Sequence, residues 1–160
     1  MNALADAVKT ADPDAIAEVL ATPAGRSAVD SPKSNGWTHL TSAAAGGKTP
    51  IVEALVKGRA GVDVRNAQGS TACYFAAQNA NMPILNILIG AGCDVDLANS
   101  NGVPPIGMAA QKAEVEVVQA LIAAGANLDI QNTKGVAPLT MALMAKEVRL
   151  HRRSRGCRPV

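Results

Sequence analysis

The fold is decided by a 33-residue stretch at positions 69–101, GSTACYFAAQNANMPILNILIGAGCDVDLANSN. Its first residue belongs to a series of glycines spaced 33 residues apart, Gly36, Gly69, Gly102 and Gly135. Asparagines stand three residues before the last three of these glycines, and alanines stand seven residues after all four. Several residue types that keep one period along most of a chain indicate stacked copies of one small structural unit.

Two short helices per unit are predicted from the residues that follow each glycine. Small apolar residues at helical spacing come first, and a second run with Val, Ile and Leu at helical spacing follows. Thr49 is a candidate N-cap for one of these second helices. Gly92 and Gly125 are expected to end two others in a left-handed conformation. The second helices are expected at 50–57, 83–89 and 114–123.

Turn sequences of the form Asn-x-x-Gly separate successive units. Because Asn and Gly tolerate a left-handed backbone, these stretches predict tight turns with a positive φ at the glycine. They are NAQG at 66–69, NSNG at 99–102 and NTKG at 132–135. One helix pair is too small to bury its own apolar face, so the stacking of neighbouring units is expected to complete the core.

The segments that start at the four glycines resemble one another. They read GWTHLTSAA at 36–44, GSTACYFAA at 69–77, GVPPIGMAA at 102–110 and GVAPLTMAL at 135–143. With GAGCDVDLANSNG at 90–102, they resemble the ankyrin-repeat family, whose pattern is GxTPLHxAA, then a helix rich in Val and Leu, then GADVN. The resemblance covers residues 3–145. It implies an all-α solenoid of stacked helix-turn-helix units with short β-hairpin-like loops.

The array is expected to occupy residues 1–145. Its units are expected at 3–35, 36–68, 69–101 and 102–134, with a partial fifth at 135–150. The first unit lacks the glycine, and Asp12 is expected to cap its second helix, which begins at Pro13. The connection at 21–35 is about three residues longer than its counterparts, so it predicts an extended loop in a capping unit. Residues 151–160 are expected to be a basic, disordered tail.

The family signature is incomplete in this chain. Its threonine is present as Thr38 and Thr71, and its histidine is replaced in every unit. The replacements are Thr41, Tyr74, Gly107 and Thr140. Since a lost side-chain hydrogen bond costs about 1 kcal/mol, we expect a folded array that is not hyperstable.

The fifth unit departs further from the pattern. After Met144 the chain reads AKEVRLHRRSRGCRPV, where a normal second helix would need more apolar residues. This sequence predicts that the C-terminal end of the array is incompletely covered. Two explanations are possible. The chain is a fragment or shortened form of a longer array, or a partner or a second copy of the chain covers the end.

Composition excludes several classes of protein. Hydrophobic residues make up 48% and charged residues 18%, so the chain is not a disordered segment. The 31 alanines and only three aromatic residues do not suit an immunoglobulin-like sandwich or a large β-barrel. The net charge of +2 is misleading, because residues 146–160 carry six basic residues and one acidic residue. Residues 1–145 hold nine basic and twelve acidic residues, so the body is mildly acidic.

Three further features of the sequence predict a cytoplasmic protein, with the nucleus as the alternative. The first residues carry Asp6, Asp12 and Asp14 and lack a basic start followed by an apolar run, so no signal peptide is expected. The apolar stretches are far shorter than the ~18 residues of a membrane helix. Three cysteines, without metal-ligand spacing, suit a reducing compartment.

No residues assemble into a predicted catalytic, cofactor or metal site, so the chain is interpreted as non-enzymatic. His39 takes the proline position of its unit and is expected to be structural, and His151 lies at the other end of the array. Cys73 is expected to be a small buried hydrophobic residue. Cys93 has no basic neighbour to stabilise a thiolate. Cys157 in the tail is expected to be the most readily oxidised thiol.

The resemblance implies binding to a protein partner through hairpin tips and a concave palm of first helices. The tip positions are Asn35, Trp37, Gln68, Ser70, Asn101, Val103, Lys134 and Val136. The palm positions are Ala45, Gln78, Asn79, Gln111 and Lys112. Trp37 is either a contact hot spot or a residue that packs against the 21–35 connection.

The main functional hypothesis is therefore a non-enzymatic module that docks a folded protein as a scaffold or inhibitor. The alternative is a fragment of a longer array with only a structural role. The arginines at 152–155 favour a solvated tail over a nucleic-acid site, since no aromatic residue lies between them. Nucleic-acid and membrane partners are not expected, and self-association through the C-terminal end is a further alternative.

Overall fold

Helices and turns build the whole of the described structure. The computed structural model describes residues 3–10, 12–33 and 36–143, and no strand occurs within these ranges. The helices with both ends described are α1 Ala3–Thr10, α2 Pro13–Ala21, α3 Pro23–Ala28, α4 His39–Ala45, α5 Thr49–Lys57, α6 Ala72–Gln78, α7 Met82–Gly90, α8 Pro105–Lys112 and α9 Val115–Ala123. Residues 138–143 are also helical. The predicted all-α repeat solenoid is confirmed.

The helices stack in two rows. The first helices α4, α6 and α8 contact one another in sequence, and the second helices α5, α7 and α9 form the other row. Contacts within the first row are more extensive, and α7 and α9 touch only slightly. Alanines at Ala43, Ala76 and Ala109 are buried in the first row and allow this close approach. The closer spacing places the first helices on the inner side of the curved stack.

Equivalent large side chains of successive units fill the core. Leu55, Leu88 and Leu121 recur at the 33-residue period in the second helices, and all three are fully buried. Ile84 and Ile106 reach the same core from α7 and α8. Each such side chain contributes about 1.5–3 kcal/mol when it leaves water, so the stacking interface provides most of the apolar stabilisation.

Side-chain caps begin several helices. The Asp12 carboxylate accepts hydrogen bonds from the backbone N–H groups of Asp14 (3.0 Å) and Ala15 (3.3 Å), which confirms its predicted role. The Thr38 hydroxyl accepts from the Thr41 N–H at 3.1 Å, and the Thr41 hydroxyl accepts from the Thr38 N–H at 2.9 Å. Thr41, which replaces the family histidine, therefore closes a capping box at the start of α4.

Two local predictions were wrong. The connection at 21–35 is not simply an extended loop, because it contains α3. Thr22 caps α3 by accepting the Gly25 N–H at 3.1 Å, and Pro23 stands at the first helical position. Thr49 is not an N-cap but the first residue of α5, and the cap residue Lys48 makes no side-chain bond there.

The predicted turn geometry is confirmed at the glycines. Gly69 has φ +71°, and Gly92 and Gly125, which follow the second helices, have φ +77° and +89°. Three residues before Gly69, Gly102 and Gly135 an asparagine side chain accepts two backbone N–H bonds; Asn66, for example, accepts from Gln68 (3.0 Å) and Ser70 (2.9 Å). These bonds hold these three hairpin tips in one conformation.

Backbone bonds also join neighbouring tips. The Ser100 N–H donates to the Gln68 carbonyl, and the Thr133 N–H donates to the Asn101 carbonyl, both at 2.9 Å. These bonds join the tips that begin at Asn66, Asn99 and Asn132 into a continuous edge rather than a set of independent loops.

Candidate partner-binding surface

All three aromatic residues of the chain meet at one place. The rings of Trp37 and Phe75 are stacked, with centroids 4.7 Å apart and planes at 28°. Tyr74 meets Phe75 edge to face, with centroids 5.8 Å apart. Trp37 and Phe75 are each partly exposed, whereas Tyr74 is buried. Of these three aromatic residues, the repeat pattern predicts only Trp37 as a contact residue.

The stack joins a hairpin tip to the first helix of the next unit. Trp37 directly follows a turn glycine, and Phe75 lies on α6. The backbone carbonyl of Trp37 also accepts a hydrogen bond from the Lys33 N–H at 2.9 Å. The backbone of Trp37 is thus tied to the 21–35 connection, while its ring packs on the neighbouring unit.

Further partly exposed apolar side chains extend from the stack. Met108 on α8 is the positional equivalent of Phe75 on α6, and these helices pack together. Val103 is the equivalent of Trp37. We call Trp37, Phe75, Val103 and Met108 the apolar stripe. It crosses several units on the tip and first-helix side of the stack.

Tyr74 is a further residue to which the sequence pattern assigned no role in binding. Its hydroxyl accepts a hydrogen bond from the Asn99 side-chain amide at 3.2 Å. Burial raises the pKa of Tyr74, and the hydrogen bond from Asn99 partly offsets this rise. Tyr74 therefore supports Phe75 from the buried side, and its neutral hydroxyl links α6 to the next hairpin through Asn99. Its position beside Phe75 in the sequence was the signal that could have identified it.

Two palm residues make hydrogen bonds between successive units. The Asn79 side-chain amide donates to the Ala45 carbonyl at 3.0 Å, and the Lys112 ammonium donates to the Gln78 carbonyl at 2.7 Å. Asn79 and Lys112 are equivalent positions of successive units, and each satisfies the last carbonyls of the preceding first helix. Both side chains lie at the surface, as does that of Gln111.

The predicted tip residues do not all reach the surface. Gln68, Asn101 and Lys134 are exposed, and Val103 and Val136 are partly exposed. Ser70 is only 4% exposed and its backbone is bonded to Asn66, so its side chain is not available to a partner. In that unit the residue after the glycine turns inward, so burial does not support the predicted role of Ser70 as a contact residue. Asn35 lies outside the described residues.

His39 lies inside the structure. It is 3% exposed, and its Nδ1 atom makes no hydrogen bond within the described structure. Burial and the nearby charge of Lys33 lower its pKa, so His39 is held in its neutral form.

Cys73 and Cys93 form a buried thiol pair. The two thiols interact with each other. That interaction, burial and the carboxylates of Asp63 and Asp94 raise the pKa of Cys73, so its thiol stays protonated. Within residues 3–10, 12–33 and 36–143, no group of three or more His, Cys, Asp or Glu side chains is placed to hold a metal ion.

Comparisons with known proteins agree with this architecture. No helix in the described part of the chain is long and apolar enough to cross a membrane. A search of the curated proteins finds no match. A family model described as ankyrin repeats in three copies matches residues 4–99 and, in a second match, residues 73–150. The chain therefore belongs to the ankyrin-repeat family, whose members are generally protein–protein interaction modules and typically non-enzymatic.

Proposed function

We propose that this chain binds a folded protein partner through its hairpin tips and first helices, with the Trp37–Phe75 stack at the centre. The observation that carries the proposal is the gathering of the chain's few aromatic residues at one partly exposed place. Tryptophan and other large aromatic side chains provide a disproportionate share of binding free energy at protein interfaces.

The bonds within and between the tips support this proposal. The asparagine bonds in the hairpins at 66–70, 99–103 and 132–136, and the backbone bonds that join these hairpins, order this part of the surface before a partner arrives. A pre-ordered surface loses little conformational entropy on binding. The mechanism is therefore complementarity between two rigid surfaces. A scaffold would hold its partner in this way, and an inhibitor would cover a functional surface of a partner enzyme.

Affinity measurements on two surface variants test the proposal. A partner isolated with the wild-type chain is titrated against Trp37→Ala and against Ile122→Ala. Ile122 is an exposed apolar residue on α9, in the other row of helices, and serves as the control. We expect Trp37→Ala to weaken binding at least about tenfold and Ile122→Ala to leave it unchanged. Equal affinities for both variants, with helical circular dichroism retained, would contradict the proposal.

A second function, as a piece of a longer array, is favoured by one observation. Leu128 is 48% exposed, whereas Val95, its equivalent one unit earlier, is only 8% exposed. Val115 and Ile122 on α9 are also exposed. A further complete unit would cover these side chains. Fusing a second copy of the 69–101 sequence after residue 134 should then raise the unfolding midpoint; an unchanged midpoint would count against this function.

A further inference from the structure

Acidic residues are absent from the tip and first-helix side of the stack. The stretches that contain the hairpin tips and the first helices α4, α6 and α8 carry no Asp or Glu, although residues 1–145 are acidic as a whole. These stretches are 31–52, 64–93, 97–113 and 130–143. Their cations are Lys33, Lys48, Arg65, Lys112 and Lys134. The tip and first-helix surface is therefore positive.

Carboxylates near the hairpins are used in bonds between successive units. Asp30 accepts the Gly61 N–H at 2.8 Å, and Asp63 accepts the Asp94 N–H at 2.9 Å. Asp96 accepts the Asn127 N–H at 2.8 Å. All three bonds are made to the loops that follow the second helices, so these carboxylates are directed at the base of the hairpins and not at the tips.

The cations border the apolar stripe. Lys33 is bonded through its backbone to Trp37. Lys112 lies one helical turn from Met108 on α8, and its ammonium reaches the carbonyl of Gln78, which lies one turn from Phe75 on α6. Lys33 therefore lies next to the backbone of Trp37, and Lys112 lies about one helical turn from Met108 and reaches to within about one turn of Phe75.

The outer edge of the same surface is also basic. The Arg65 guanidinium donates to the carbonyls of Gly69 and Ala98, both neutral groups on two successive tips. Lys134 is exposed on the tip that follows. The apolar stripe thus has cations at the palm and at the tips.

We infer that the partner presents an acidic protein segment with at least one large apolar side chain. This inference rests on the proposed function and specifies the chemistry of its partner. The apolar side chain contacts the stripe, where Met108, on the helix that packs against that of Phe75, provides an adaptable thioether. Carboxylates of the segment face the cations at the rim, which accelerates association and selects against basic partners.

An acidic protein fits this surface better than a nucleic acid does. The four stretches of this surface hold only five cations in all, whereas tracking a phosphate backbone requires a dense positive groove. Trp37 and Phe75 are stacked on each other, so each ring has a face that no base can occupy. Tight binding of an oligonucleotide is accordingly the competing outcome in the test below.

Selection from a random peptide library tests this chemistry. Phage-displayed peptides are selected on the immobilised protein, and enriched peptides without Trp are titrated through the fluorescence of Trp37, the only tryptophan. We expect enriched peptides to be net negative, with an aromatic or large aliphatic residue. Their affinity should fall about fivefold or more between low and moderate salt, because rim charges are screened. Enrichment of neutral or basic peptides would overturn the inference.

Two triple variants, each of which removes three positive charges, test whether binding depends on the charges of the tip and first-helix surface in particular. Lys33→Gln/Arg65→Gln/Lys134→Gln removes three cations from the tip side of this surface, and we expect it to weaken the acidic peptides about fivefold or more. Lys9→Gln/Lys57→Gln/Arg59→Gln removes as many cations from α1, α5 and the loop after α5, and should leave binding within about twofold. Equal losses from both variants would overturn the inference, as would tighter binding of oligothymidine than of any selected peptide.

A final comparison, measured by calorimetry because Trp37→Ala has no tryptophan, distinguishes this inference from the proposed function. Non-acidic peptides whose binding is lost in Trp37→Ala would overturn the acidic partner but keep the proposed surface. Peptides that bind Trp37→Ala and Phe75→Ala as well as wild type would overturn both, as would a selection without enrichment.

Discussion

The indole of Trp37 rests on the phenyl ring of Phe75 across the boundary between two units, with centroids 4.7 Å apart. A tip residue of one unit is thereby anchored to the first helix of the next. Binding and folding consequently share one contact, because the rings proposed to contact the partner also hold two units together.

A double-mutant cycle measures this shared contact. Trp37→Ala, Phe75→Leu and the double variant are unfolded in urea, and circular dichroism gives each free energy of unfolding. We expect a coupling of about 0.5–1.5 kcal/mol, the usual range for an aromatic pair beyond its buried area. Strictly additive losses would show that the two rings do not stabilise each other.

Stability should fall on acidification because of His39. Its pKa is lowered in the folded protein, by burial and by Lys33, from the ordinary value of 6.5. As the pH falls through about 6.5, the unfolded chain takes up a proton that the folded protein does not. The contribution of His39 is therefore complete above pH 6.5 and declines below it.

His39→Pro is the matched variant for this effect. Pro105 and Pro138 stand at the equivalent positions, and Thr38 before His39 already has the extended backbone that a following proline requires. Between pH 7.5 and pH 5, the free energy of unfolding from urea titrations should decline less in His39→Pro than in wild type. Identical pH profiles would rule out His39 as the cause.

Two alanines are strained where another unit has glycine. Ala80 (φ +51°) and Ala113 (φ +60°) occupy the position of Gly47, all in the left-handed region. A Cβ atom there costs roughly 1–2 kcal/mol, partly offset by the greater flexibility of glycine in the unfolded chain. Ala80→Gly and Ala113→Gly should each raise the free energy of unfolding by about 0.5–1 kcal/mol.

The control for these variants is the same substitution within a helix. Ala120 lies inside α9, where glycine disfavours the helix, so Ala120→Gly should lower the free energy of unfolding by about 1 kcal/mol. Thermal melting followed by circular dichroism gives the sign of each change. A loss of stability in Ala80→Gly or Ala113→Gly would refute the strain.

Gly69 and Gly92 have similar φ values, so variants at these two positions separate the cost of a left-handed backbone from the cost of a steric clash. A Cβ atom at Gly69 would lie 2.9 Å from the Ser100 nitrogen, whereas one at Gly92 would have open space around it. Gly92→Ala should therefore cost only the roughly 1–2 kcal/mol of a left-handed alanine. Gly69→Ala should cost more, because the bonded tips must also separate, and Gly69→Val more again. Equal urea midpoints for the two alanine variants would contradict this account.

Much of the local structure could be predicted because its causes act over a few residues. The 33-residue period predicted the helix pairs, the turn sequences predicted positive φ at Gly69, and the position of Asp12 predicted a cap. Helix α3 was missed because a short run with Pro23 and Gly25 reads as a loop. The structure stabilises it through the Thr22 cap and by burying Gly25 against Val19.

The binding surface was harder to predict than the fold, since it depends on which side chains meet across a unit boundary. The repeat pattern placed Ser70 and Trp37 at the same position after a glycine, yet Ser70 is buried and Trp37 is partly exposed. A small hydroxyl fits within the hairpin, whereas an indole must find another surface, and Phe75 provides one.

By itself, the sequence determined the repeated helix pair, the left-handed turns and the exclusion of acidic residues from the tips and from α4, α6 and α8. These follow from backbone preference and residue type, which act locally. The tertiary structure alone decided that Trp37 meets Phe75 and that Lys112 reaches Gln78. Such contacts depend on how closely neighbouring units stack, and alanine packing in the first-helix row sets that distance.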